Sequence, residues 1–191
     1  MDIAVSDDRL SAAGRSAHDL GAAALFGGNL FARVGMHPAL ADVSEARERG
    51  RVVNHAWRRY GTVNSASLLA VLGGWGLARR GEAADRLLSP TERRLAHVKD
   101  ATVIAVALTG IASAVSGGLF GRMEPDGAVE LADGSEPSAH TPAGEARTKR
   151  LLNGLGAAHL LSAGALVTVN AALAQTNFRS PPVRRLLRRV R

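Results

Sequence analysis

The chain has no cysteine. That excludes disulfides, thiolate metal sites, iron–sulfur clusters and a cysteine nucleophile. Aromatic residues are scarce, at 4%. Lysine is nearly absent: Lys99 and Lys149 stand alone among 24 basic residues, and the arginine bias fits a bacterial source of high GC content. Sustained alternation of apolar and polar residues is missing too, so the few Val and Thr runs make no sheet and the chain reads as all-α. The opening, Met1 to Asp19, lacks a basic segment followed directly by an apolar core and a small-residue cleavage site. It carries Asp2, Asp7 and Asp8 instead, and does not read as a cleaved signal peptide. There is no HExxH, no P-loop, no serine nucleophile elbow, and no carboxylate pair inside an apolar block. Gly73-Gly74-Trp75-Gly76 lies within an apolar helix and follows no strand, so it is not a nucleotide loop. The expectation is a protein that is not an enzyme, with no catalytic residue and no metal site.

What the chain does have is long uncharged stretches. The clearest is Leu151 to Thr176, LLNGLGAAHLLSAGALVTVNAALAQT, 26 residues without a charge. As a helix it would be about 39 Å long, more than the ~30 Å hydrocarbon core of a bilayer. Ala101 to Phe120 adds 20 uncharged residues, and Gly61 to Ala78 adds 18, the lower limit for a span. Residues 20–41 form the weakest block. They include Arg33 and His37, their uncharged part ends at Ala32, and Pro38 ends or kinks the helix. Mean hydropathy is only +0.02 because charged connections offset these blocks. The 191 residues suffice for one domain. The expected architecture is an all-α four-helix transmembrane bundle, residues 1–179, with spans at about 20–41, 61–78, 101–120 and 151–176. A soluble bundle remains open for the first block, as a buried helix.

Local signals set the connections. Ser6-Asp7-Asp8 can cap a short leading helix, and Ser44 can start the next one. In residues 45–60, Trp57 and Tyr60 suit a membrane interface. Ser89-Pro90-Thr91-Glu92 spells a capping box with proline at the first helical position. Residues 121–150 carry six acids and three prolines and read as an exposed acidic loop, with a short hairpin around Ala128 to Leu131. Thr141-Pro142 can cap the last helix. The tail, residues 180–191, places Val183, Leu186, Leu187 and Val190 on one helix face and Arg184, Arg185, Arg188, Arg189 and Arg191 on the rest. It reads as a C-terminal amphipathic basic helix.

Four spans put both termini on one side of a membrane. That side collects 14 Lys and Arg against 9 on the other, which places both termini in the cytoplasm of a bacterial inner (plasma) membrane. The net charge of +7 then serves anionic lipid headgroups beneath the tail, each basic residue contributing about 1 kcal/mol. An arginine run without interleaved aromatics, tethered after a span, points away from nucleic acid.

Each block also carries small residues at every fourth position: Ala24, Gly28 and Ala32; Ala66, Ala70, Gly74 and Ala78; Gly110, Ala114 and Gly118; Gly154, Ala158 and Ser162. Such spacing keeps them on one face, and helices in lipid associate by the close approach that small residues permit. Packing against a membrane-protein partner or a second copy is the expected role. Polar residues inside the blocks, Asn29, Arg33, His37, Asn64, His159 and Asn170, form a candidate intramembrane seam. Interhelical glue, with Arg33 snorkelling to the interface, is the bland account of them; a redox or small-solute transport component is the sharper alternative. Six histidines admit a b-type haem between His18 and His97 or between His37 and His159, though no cofactor is required.

The runs HDLGAAALFGGNLFARVGMHPAL (18–40), AWRRYGTVN (56–64), LTGIASA (108–114) and VNAALAQ (169–175) resemble a group of uncharacterised four-span membrane proteins from actinobacteria. More distantly, the layout is similar to the copper-resistance D-like four-helix membrane families. The resemblance implies a membrane location and a four-helix fold. It carries over no copper site, since Met1, Met36 and Met123 do not cluster with histidine.

Overall fold

The computed structural model describes residues 2–179, with side chains from 12 to 176. The basic tail, with Arg184, Arg185, Arg188, Arg189 and Arg191, lies outside the described residues. Four long helices carry the fold: α1 (Asp2–Phe31), α2 (Ala46–Arg80), α3 (Pro90–Phe120) and α4 (Ala143–Arg179). The all-α expectation holds among the described residues.

Helix boundaries follow local chemistry in part. Ser89 and Glu92 form the capping box, Ser89 Oγ accepting from the Glu92 amide at 3.4 Å and Glu92 Oε2 from the Ser89 amide at 2.7 Å. The expected cap at Ser6-Asp7-Asp8 is not a boundary, because α1 already runs from Asp2. Glu45, not Ser44, precedes α2. Thr141 does not cap α4 with its hydroxyl, which donates to the Glu130 carbonyl. The break at Pro38 is real but is reached gradually. Residues Ala32–Met36 widen into a π-helix, one turn of α-helix spans His37–Ala39, and a 3-10 turn, Leu40–Asp42, ends the run. Proline lacks an amide hydrogen and its ring crowds the carbonyl four residues back, and a wider turn is one way to relieve that crowding.

Contacts give the arrangement. Gly28 meets Tyr60 and His18 meets Val71 between α1 and α2. Leu68 meets Gly110 between α2 and α3. Thr109 meets His159 between α3 and α4, and Phe26 meets Gly164 between α1 and α4. Every neighbouring pair is antiparallel, which makes an up-down-up-down bundle. Part of the small-residue ladder acts at these contacts. A Cβ on Gly28 would overlap the Tyr60 hydroxyl, and one on Gly74 would overlap the Gly14 carbonyl. Gly118 and Gly154 face open space instead.

Two apolar clusters hold the bundle. One runs along its length through Leu25, Val71, Val106 and Leu166. The other sits at the loop end, where Leu40, Val53 and Phe120 receive Val129 and Leu131. The connection 121–142 is therefore a folded cap and not a free acidic loop. Its acids stay at least partly in contact with solvent, while Gly127, Val129, Leu131 and Gly134 are buried. Burial of an aliphatic side chain is worth roughly 1.5–3 kcal/mol, so Val129 and Leu131 contribute to seating the cap. The hairpin expected at Ala128 to Leu131 is reduced to one isolated bridge, Leu131 with Pro137.

Among the described residues, two helices are long and apolar enough to cross a membrane, Pro90–Phe120 and Ala143–Thr176 of α3 and α4. Only 17% of the most apolar window of each is buried within the protein. The first two helices do not meet that test. They nevertheless expose large aliphatic side chains: Leu20 is 72% exposed on α1 and Leu69 is 70% exposed on α2.

Candidate functional site

The bundle end that holds the chain termini carries a polar network drawn from all four helices, with Trp75 at its centre. The Trp75 indole N–H donates to Asp100 Oδ1 at 2.8 Å. Arg79, one turn on, pairs with the other oxygen of Asp100 at 3.1 Å and with Asp85 at 2.8 Å. His97 reaches the second oxygen of Asp85 at 3.3 Å. The Lys99 ammonium lies 4.1 Å from the centre of a Trp75 ring and donates to Asn170 Oδ1 at 2.5 Å. The amide of Asn170 then donates to Asp19 Oδ1 at 2.8 Å. Arg15 and Glu82 form a further ion pair between α1 and the residues after α2. Lys99 is 4% exposed, and among the described residues no carboxylate pairs with it directly. An aromatic face and an amide oxygen satisfy it instead.

His18, 2% exposed, packs against the same indole with ring centres 6.3 Å apart. Its Nδ1 lies 2.9 Å from the Val71 carbonyl. A carbonyl only accepts, so Nδ1 carries the proton and Nε2 is a lone pair. That Nε2 is buried and has no partner. At the rim, hydrogen bonds from Arg79 and then His97 hold the Asp85 carboxyl below the usual carboxylate range, and the same Asp85 bond raises Arg79.

The opposite end is closed by the cap. Gly134 donates its amide to the His37 carbonyl at 3.0 Å, and a Cβ on Gly134 would lie 2.6 Å from the His37 backbone. The Lys149 ammonium, 3% exposed, donates to the Gly134 carbonyl at 2.6 Å. Asn153 donates to the Ser135 carbonyl. Arg49 ties together both loops of this end, donating to the carbonyls of Val43 at 2.6 Å and Ala132 at 2.9 Å. Ser135 Oγ lies 2.9 Å from His37 Nδ1, the contact of a serine–histidine dyad. Trp57 denies it that role. Its indole N–H donates to His37 Nε2 at 3.2 Å, so in the neutral ring Nδ1 holds the proton and donates to the serine. A histidine in this tautomer cannot take the serine proton.

The six candidate seam residues do not form one seam. Asn170 joins the Trp75 network. His159 sits mid-bundle with its Nδ1 3.0 Å from Thr109 Oγ1. His37 belongs to the cap. Asn29 bonds back to the Leu25 carbonyl at 2.7 Å, and Arg33 is exposed on the π-helical segment. The Asn64 side-chain oxygen is buried without a partner, as is the Ser113 hydroxyl. The histidines paired for haem have other partners, Val71 for His18, Asp85 for His97, Ser135 and Trp57 for His37, and Thr109 for His159. Among the described residues, no group of three or more histidines and carboxylates is placed to hold a metal ion.

Spacing along single helices did not reveal His18, Asp19, Trp75, Lys99 and Asp100 as one group, because the group is built across three of them. One compositional signal pointed there. In a chain that otherwise uses arginine, both lysines are buried. No family model, curated protein or solved structure matches the chain.

Proposed function

We propose that the chain is a multi-pass integral membrane protein of a bacterial inner membrane, with all four helices in the bilayer and both termini cytoplasmic. It acts by helix packing and association with a membrane partner or a second copy, not by chemistry in a pocket. The observation that carries this reading is the low burial, 17%, of the most apolar windows of α3 and α4. The core helix of a water-soluble bundle would be covered by its neighbours; these two are left to face something apolar. Exposed Leu20, Phe31, Val63 and Leu69 extend the same surface onto α1 and α2. Likeness to the four-span actinobacterial group is part of this proposal, as is the attraction of the Arg-rich tail to anionic headgroups.

Membrane fractionation tests it. The full chain is expected to pellet with membranes and to resist carbonate extraction. Recovery in the soluble fraction without detergent would overturn the reading.

A further inference from the structure

The Trp75 network contains one buried group that its hydrogen bonds leave unused, the Nε2 lone pair of His18. Trp75 packs against the His18 ring, and Asp19 and Lys99 are the charges that act on it; Arg79, Asp100 and Asn170 hold these groups in turn. Of the charged ones, Asp100 is engaged by Trp75 and Arg79, and Asp19 by Asn170. Lys99, against the same indole, is the buried positive charge. We propose that His18 Nε2 is a proton-binding site, loaded by water from the termini end of the bundle and read out by Lys99.

The step is a simple protonation. A water molecule gives a proton to Nε2, an N–H bond forms as an O–H bond breaks, and the ring becomes an imidazolium that keeps its Nδ1–H bond to Val71. The new charge then shares a desolvated space with the Lys99 ammonium. Like charges at low dielectric repel strongly. The repulsion displaces Lys99 from the indole face and from Asn170, toward the carboxylates of Asp19 and Asp100. Because Asn170 and Asp19 bridge α4 to α1, one proton alters a contact between the two helical hairpins. The inference does not depend on whether α1 and α2 enter a bilayer, so it and the membrane reading can fail separately.

The chain has only two tryptophans, so in a Trp57→Phe background Trp75 is the sole indole. Fluorescence of that protein, full length in detergent micelles, is titrated with acid. One transition is expected. It should vanish in His18→Gln and move about one pH unit higher, a tenfold gain in proton affinity, in Lys99→Met. Lys99→Arg should keep it near its original pH, since the charge stays. Should Lys99→Met fail to fold, carbon-13 labelling of the two lysines in the unaltered chain gives a second reading. The Lys99 Cε resonance must then shift at the pH where His18 gains its proton. A transition that survives in His18→Gln, an unmoved midpoint in folded Lys99→Met, or a Lys99 resonance indifferent to His18 titration would each overturn the proposal.

Discussion

Trp57 donates its indole hydrogen to His37 Nε2 at 3.2 Å and thereby fixes the His37 tautomer. The bond ties α2 to the segment after α1, and through Nδ1 to Ser135 of the cap. One imidazole thus joins three parts of the chain, and the bond it accepts from Trp57 requires the ring to be neutral.

Acid should open this joint. Once Nε2 is protonated it can no longer accept from Trp57, and two hydrogens face each other. In a Trp75→Phe background the Trp57 fluorescence is expected to change on acidification, together with faster proteolysis within residues 121–142. His37→Asn should abolish the pH dependence of both. Equal proteolysis at neutral and acid pH in the unaltered chain would contradict the account.

The cap should also be sensitive to glycine substitution. A Cβ on Gly50 would collide with the Val129 carbonyl, a backbone atom that cannot move alone. Gly50→Ala is expected to cost about 1–3 kcal/mol, the usual range for overpacking. Gly154 meets nothing within 4 Å. Gly154→Ala should be neutral, or stabilising by up to about 1 kcal/mol through helix propensity. Thermal unfolding of the two variants in the same detergent checks the difference in sign.

Asp85 supplies a pH test of the rim. Its carboxyl is held below the ordinary value of 3.8 when folded, so its contribution is full above that value and is lost as pH falls through the depressed range. Asp85→Asn should lower the thermal midpoint at neutral pH. That difference should shrink below about pH 4, where the aspartate of the unfolded chain begins to take up a proton, and vanish once the folded one does too. A gap that stays constant into strong acid would show that Asp85 acts by shape and not by charge.

Much of this was legible from local chemistry. The Ser89–Glu92 capping box, the break at Pro38 and the uncharged runs of α3 and α4 are written in adjacent residues, where periodicity and caps operate. The site was not legible for the same reason. Lys99 looks like a solvated charge before an apolar run; only the positions of Trp75 and Asn170, far away in sequence, make it a buried one. The cap was misread because composition weighs the six acids of residues 121–150 above Val129 and Leu131, whose burial depends on Leu40, Val53 and Phe120 arriving from three other segments. Seam residues sharing a face on their own helices were likewise distributed to different levels by the register between helices.

The central claim is that lipid covers all four helices. The absence of native cysteine permits a direct measurement with single substitutions at four exposed positions, Leu20→Cys, Leu69→Cys, Ile104→Cys and Leu161→Cys. Each full-length variant, in native membranes, is treated with a water-soluble maleimide before and after denaturation in detergent. The account predicts that all four thiols stay unmodified until the protein is denatured. Ready labelling at Leu20→Cys and Leu69→Cys, with protection only at Ile104→Cys and Leu161→Cys, would contradict it and leave a protein with two spans.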